Sequence, residues 1–139
     1  MGKNFWIAGA AAFLISLFAG FIGHGLLLQA DYAQVPNLMR TAEDAAGYLP
    51  FMLVSHLIKG FAFAWVYKKG ISDAPWLSQG IRFGIAMTFL IAIPLYLVYY
   101  AVQPTPGRLV VNQIVVDAIT MILMALAVAF IFKPKSAAS

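Results

Sequence analysis

The chain has 139 residues, 63% of them hydrophobic and 10% charged, where an ordinary soluble domain carries roughly 45–50% apolar and about 25% charged residues. With a mean hydropathy of +0.87, a chain this short cannot hide its apolar side chains in a core, and lipid has to solvate much of the surface. The net charge of +4 does not point to nucleic acid, because the basic residues flank apolar runs and form no cluster. The absence of cysteine excludes disulfides and thiolate metal sites.

The expected fold class is all-α: one membrane domain over 1–139, a bundle of four transmembrane helices, with the lipid bilayer as its solvent. Four runs, 5–28, 49–67, 81–102 and 109–132, reach the length of about 20 residues that a helix needs to cross a bilayer. They are continuously apolar and do not alternate, which argues against barrel strands. The first run is longer than the apolar core of a signal peptide, and Leu28-Gln29-Ala30 is a poor cleavage site.

Along the first run Ala8, Ala12, Ser16 and Gly20 recur every four residues, and His24 takes the next step on that row. Such a row lets two helix backbones approach closely. In the connection 30–47, residues Val35, Leu38, Met39, Ala42 and Ala46 share one helical face. That face predicts a short helix lying on the membrane surface, in competition with an ordinary polar loop. The second run opens with Pro50 in its first turn and closes on Lys68-Lys69-Gly70. The third run has its own small-residue row, Gly80, Gly84 and Thr88, and carries Pro94 near its middle. Pro94 predicts a kink and is a candidate hinge. Gln103 to Gly107, with Pro104 and Pro106, is a stiff turn into the fourth run.

Orientation follows from the cations. With both termini inside, Lys3, Lys68, Lys69, Arg82, Lys133 and Lys135 fall on the cytoplasmic side and only Arg40 and Arg108 on the other. Six against two predicts both termini cytoplasmic, as cytoplasmic loops are enriched in Lys and Arg. Trp6, Trp65, Tyr67 and Trp76 then form an inner aromatic belt, and Tyr32, Tyr48, Tyr99 and Tyr100 an outer one.

Against this background Lys59 stands out, a lysine in the middle of the second run. On an insertion scale it costs about 2.5–3.5 kcal/mol, which its apolar neighbours offset at roughly 0.3–0.6 kcal/mol each. His56 lies one turn away on the same face, and Gln113, Asp117 and Thr120 share a face of the fourth run. Asp117 is the one acid inside a run. Counted by helical rise from the outer ends, His56 and Asp117 sit at matched depth. The two stripes predict an intramembrane cluster of Lys59, His56, Asp117, Gln113 and Thr120, with Asp117 accepting from Lys59, His56 or both. His24, His56 and Asp117 also offer two imidazoles and a carboxylate, a set suited to non-haem iron, and two histidines suit haem. By helical rise His24 is much shallower than His56, which speaks against that set.

The stretches GHGLLLQADYAQVPNLMR, FMLVSHLIKGFAFAWVYKKG, GIRFGIAM and IPLYLVYYAVQPTPG resemble a group of small bacterial four-span membrane proteins classed as a domain of unknown function. The resemblance implies a bacterial inner-membrane location and transfers no activity or site residue.

The sequence therefore ranks three functions. The first is a non-enzymatic membrane protein, a homo-oligomer or an accessory subunit among other membrane subunits, binding no nucleic acid and with no predicted cofactor. The second is a transporter or channel for a proton, an ion or a small solute, built on the Lys-His-Asp cluster. The third is a haem- or metal-binding redox protein using His24, His56 and Asp117.

Overall fold

The structure is a computed structural model describing residues 2–134; Lys135, counted above among the inner-side cations, lies outside them. Among the described residues the regular structure is helical throughout. Four helices are long and apolar enough to cross a membrane: α1 (Lys3–Leu27), α2 (Leu49–Lys69), α3 (Trp76–Val102) and α4 (Gly107–Phe132). Only 17–33% of the residues in their most apolar windows are buried. Many large apolar side chains on these helices stay exposed, Leu27, Phe51 and Leu90 among them, which is consistent with a membrane protein.

Three of the four helices begin earlier than their hydrophobic runs, and α2 begins with its run at Leu49. α3 starts at Trp76 and not at 81, because Trp76-Leu77-Ser78-Gln79 continues the helix after Pro75 and packs on α4 through Trp76 and Phe130 (ring centroids 5.4 Å apart). Two of the helices are also irregular. α1 passes into a π-helical segment at Phe21–Leu27, and α3 has one at Thr88–Ala92. The second lies immediately before Ile93-Pro94. Pro94 supplies no N–H to the ladder, and the wider π turn absorbs the mismatch.

The connection from α1 to α2 does not form one continuous surface helix. It breaks into Gln29–Tyr32, a 3₁₀ turn at Pro36–Leu38, and Ala42–Ala46. Pro36 cannot continue a preceding helix, Met39 is extended, and Thr41 restarts the chain by accepting from the Asp44 amide at 3.2 Å. Val35 leaves the expected face to join Leu28 and Leu109 in a small core.

Contacts set the helix order. α1 packs along both α2 and α4, and α3 packs along α4. α2 and α3 meet through Phe63 and Tyr67 against Phe83, at ring distances of 4.8 and 5.2 Å. Asn4 donates to the Ile131 carbonyl at 3.3 Å, so the start of α1 and the end of α4 share one end of the bundle.

That end is dry. Ala8, Ala12, Phe63, Met121, Met124 and Val128 form its core. Glycines provide the close approach, Gly84 on the small-residue row of the third run and Gly60 outside either row. A Cβ on Gly60 of α2 would stand 2.5–2.8 Å from Phe13 N, Phe13 Cα and the Gly9 carbonyl of α1, and one on Gly84 of α3 would stand 2.8 Å from Ile122 Cα. Backbone cannot yield as a side-chain tip does. Replacing Gly60 by alanine therefore forces α1 and α2 apart. The expected loss is about 1–3 kcal/mol, the usual cost of overpacking, read as a lower thermal midpoint in detergent. Gly47→Ala is the control, since its Cβ would meet only the Asp44 carbonyl at an ordinary 3.5 Å.

Candidate functional site

The other half of the bundle is polar, and α1 organises it. The segment after α1 folds back over the first turns of α4. Leu28 and Val35 cover Leu109, Asn112 donates to Asp31 at 2.8 Å, and Gln113 donates to the Tyr32 hydroxyl at 3.1 Å. Arg108 Nε stands 3.6 Å from the other oxygen of Asp31, a carboxylate only 9% exposed. This overlap brings the end of α1 level with Asp117, two to three turns into α4. His24, which helical rise places too shallow, is therefore the residue that reaches it.

Asp117 is held at both oxygens. His24 Nε2 donates to Oδ1 at 3.1 Å, and the Tyr96 hydroxyl donates to Oδ2 at 2.8 Å. On the other side of the imidazole, Nδ1 lies 2.7 Å from the Tyr32 hydroxyl. These partners assign the tautomer. The carboxylate can only accept, so Nε2 carries the proton. In the neutral ring Nδ1 then accepts from Tyr32, whose oxygen accepts in turn from Gln113. Burial, with the Asp117 charge adding to it, raises the Tyr32 hydroxyl above its ordinary range against the opposing Gln113 bond, so Tyr32 remains a protonated donor at neutral pH. The result is a directional chain, Gln113 to Tyr32 to His24 to Asp117, met from α3 by Tyr96.

The expected cluster is thus redistributed. Gln113 and Asp117 belong to the chain. Thr120 does not: it is buried and donates to the Val116 carbonyl of its own helix at 3.0 Å. His56 bonds α1, with Nδ1 2.7 Å from Ser16 Oγ. Ser16 is 1% exposed and has no other partner among the described residues, so its hydroxyl donates and the His56 proton sits on Nε2. Lys59 is half-buried and forms no ion pair within 4.0 Å among the described residues. The pairing of Asp117 with Lys59 or His56 is therefore replaced by pairing with His24 and Tyr96. The reason is helix order: α1 lies against both α2 and α4 and supplies a side chain to each polar stripe. Among the described residues no three His, Cys, Asp or Glu side chains are grouped to hold a metal ion, so His24, His56 and Asp117 are not brought together as a ligand set.

By sequence Tyr32 falls in the outer aromatic belt and Ser16 in the small-residue row of the first run, and nothing singles out Tyr96. Tyr32 carried a signal, since it lies eight residues after His24 and follows the last apolar turn. Tyr96 carried none beyond its place two residues after Pro94.

The contacts make the coupling pattern testable by double-mutant cycles on stability. His24→Ala with Asp117→Asn should couple by about 1–3 kcal/mol, as hydrogen-bonded neighbours do, and Lys59→Met with Asp117→Asn should approach additivity within about 0.5 kcal/mol. The reverse order would show that Lys59 is the true partner.

Comparison with protein-family models, with curated proteins and with solved structures finds no match for this chain.

Proposed function

We propose that this chain is a non-enzymatic integral membrane protein of a bacterial inner membrane, with both termini cytoplasmic, working as an accessory or oligomeric subunit whose outward half binds and releases a proton. Membrane insertion is supported by four apolar helices that leave most of their surface uncovered. The orientation rests on the loop cations. The resemblance of the four stretches to small bacterial four-span proteins supports the inner membrane.

One observation carries the proton reading. His24 is bonded through both ring nitrogens, to a carboxylate on one side and on the other to a phenol on the connecting loop. A proton added at Nδ1 turns the ring from acceptor to donor toward Tyr32. The Tyr32 oxygen then receives two donors, and its own hydrogen must turn away from His24. The loop segment that carries Tyr32 is in this way tied to the protonation state of the bundle. The opposite half offers no continuation, since Thr88 and Thr120 are both spent on their own backbones and the core beyond them is apolar. A one-sided proton-binding hub fits this arrangement better than a through-channel.

A proton-coupled transporter is the second reading. It is favoured by the two π-helical segments, which place irregular turns of α1 and α3 beside the hub; π bulges are common at functional sites.

Two measurements separate these readings. In lipid nanodiscs, nitrogen-15 histidine spectra should show His24 as the Nε2–H tautomer at neutral pH. Trypsin cleavage after Arg40, in the same loop as Tyr32, should become faster on acidification, and His24→Gln should abolish that dependence. A cleavage rate flat with pH in the wild type sinks the hub. Proteoliposomes should show no proton flux above empty vesicles; a flux that Asp117→Asn removes would establish the transporter instead.

A further inference from the structure

At the end of the bundle opposite the hub, the start of α1 and the last turn of α2 enclose a cleft of about 390 Å³ lined by Phe5, Trp65, Lys68 and Lys69. Its chemistry is divided. Phe5 is 6% exposed and packs edge-on against Trp6 at 5.4 Å and against Phe61 at 5.9 Å, making an apolar aromatic floor. Lys68 and Lys69 stand at the rim, both exposed, with Lys69 Nζ 5.7 Å from the Trp65 ring centroid. Neither ammonium has an acidic partner within 4.0 Å among the described residues, although Asp73 lies in the adjoining loop. The other cations near this end, Lys3, Arg82 and Lys133, leave it with a positive field that Asp73 alone does not offset.

We infer that this cleft is a binding site for an anionic phospholipid, whose headgroup phosphate is held by Lys68 and Lys69 and whose glycerol and upper acyl carbons lie on Phe5 and Trp65. Three features converge on that occupant. Two adjacent unpaired ammoniums match a phosphate. Tryptophan is enriched at the level of the headgroups, where its amphipathic ring is at home. Lysines on the cytoplasmic side meet the leaflet surface where anionic lipid attracts them. A zwitterionic lipid carries the same phosphate beside a cation of its own, so the two ammoniums discriminate against it. The assignment rests on the membrane reading above and is independent of the proton hub.

The test is native mass spectrometry of the protein released from nanodiscs of mixed phosphatidylglycerol and phosphatidylcholine. The wild type should retain phosphatidylglycerol preferentially. Lys68→Gln with Lys69→Gln should lower that retention roughly tenfold to thirtyfold, the contribution of two lysines at an anionic surface. Arg82→Gln with Lys133→Gln removes the same charge at the same end outside the cleft, and should leave most of the retention in place. Equal retention of the two lipids, or an equal loss in both double variants, overturns the site and leaves the membrane reading intact. Failure of the protein to enter nanodiscs at all overturns the membrane reading, and the lipid site with it. Circular dichroism of both variants shows that the helices are retained.

Discussion

The arrangement turns on one ionisable group. Asp117 is the only carboxylate within the four long helices, and its side chain is 15% exposed. A carboxylate withdrawn from water must be met by donors or give up its charge. The chain meets it with donors from two other helices, His24 of α1 and Tyr96 of α3. Satisfying one acid therefore fixes three helices relative to each other. Through Tyr32 it also fixes the first part of the loop that follows α1. No buried side-chain nitrogen or oxygen is left without a partner among the described residues, so the polar half is closed as well as connected.

The polar and apolar halves have different kinds of specificity. In the dry half, helix spacing is set by absence, with glycine where backbone meets backbone at Gly60 and Gly84. In the bilayer proposed for this chain, lipid gives helices no hydrophobic drive to associate, and this close packing carries the contact. In the polar half, spacing is set by hydrogen bonds between long side chains, which tolerate adjustment more readily than glycine contacts do. The two π-helical segments fall within or next to that half. The glycine contacts thus lie in the half where the termini meet, and the irregular helix turns lie with the hydrogen-bonded side chains.

The four long helices were readable in the amino-acid sequence, because their length and apolar content are local properties that any window can detect. The small-residue rows have the same local origin, whereas the start of α3 at Trp76 does not show in an apolar window. The polar site was half readable. Asp117, His24 and His56 are conspicuous in apolar surroundings, but their pairing depends on helix order and on where each helix begins relative to its neighbours. Counting depth from helix ends assumes that all helices start in one plane. Leu28 and Val35 packed on Leu109 show that they do not: the chain leaving α1 continues alongside the first turns of α4. That offset brings His24 to Asp117, and no local pattern encodes it.

Lys59 then takes a different meaning. Among the described residues it forms no ion pair within 4.0 Å. With no such pair to Asp117, its charge reaches the carboxylate only weakly and through space, in keeping with the near-additive cycle expected for the two residues. Lys59 therefore takes no part in positioning the carboxylate. A change at Lys59 would leave both hydrogen bonds to Asp117 in place. Removing His24 or Tyr96, by contrast, would strip the carboxylate of a donor. Geometry thus separates the residues that build the site around Asp117 from one that does not.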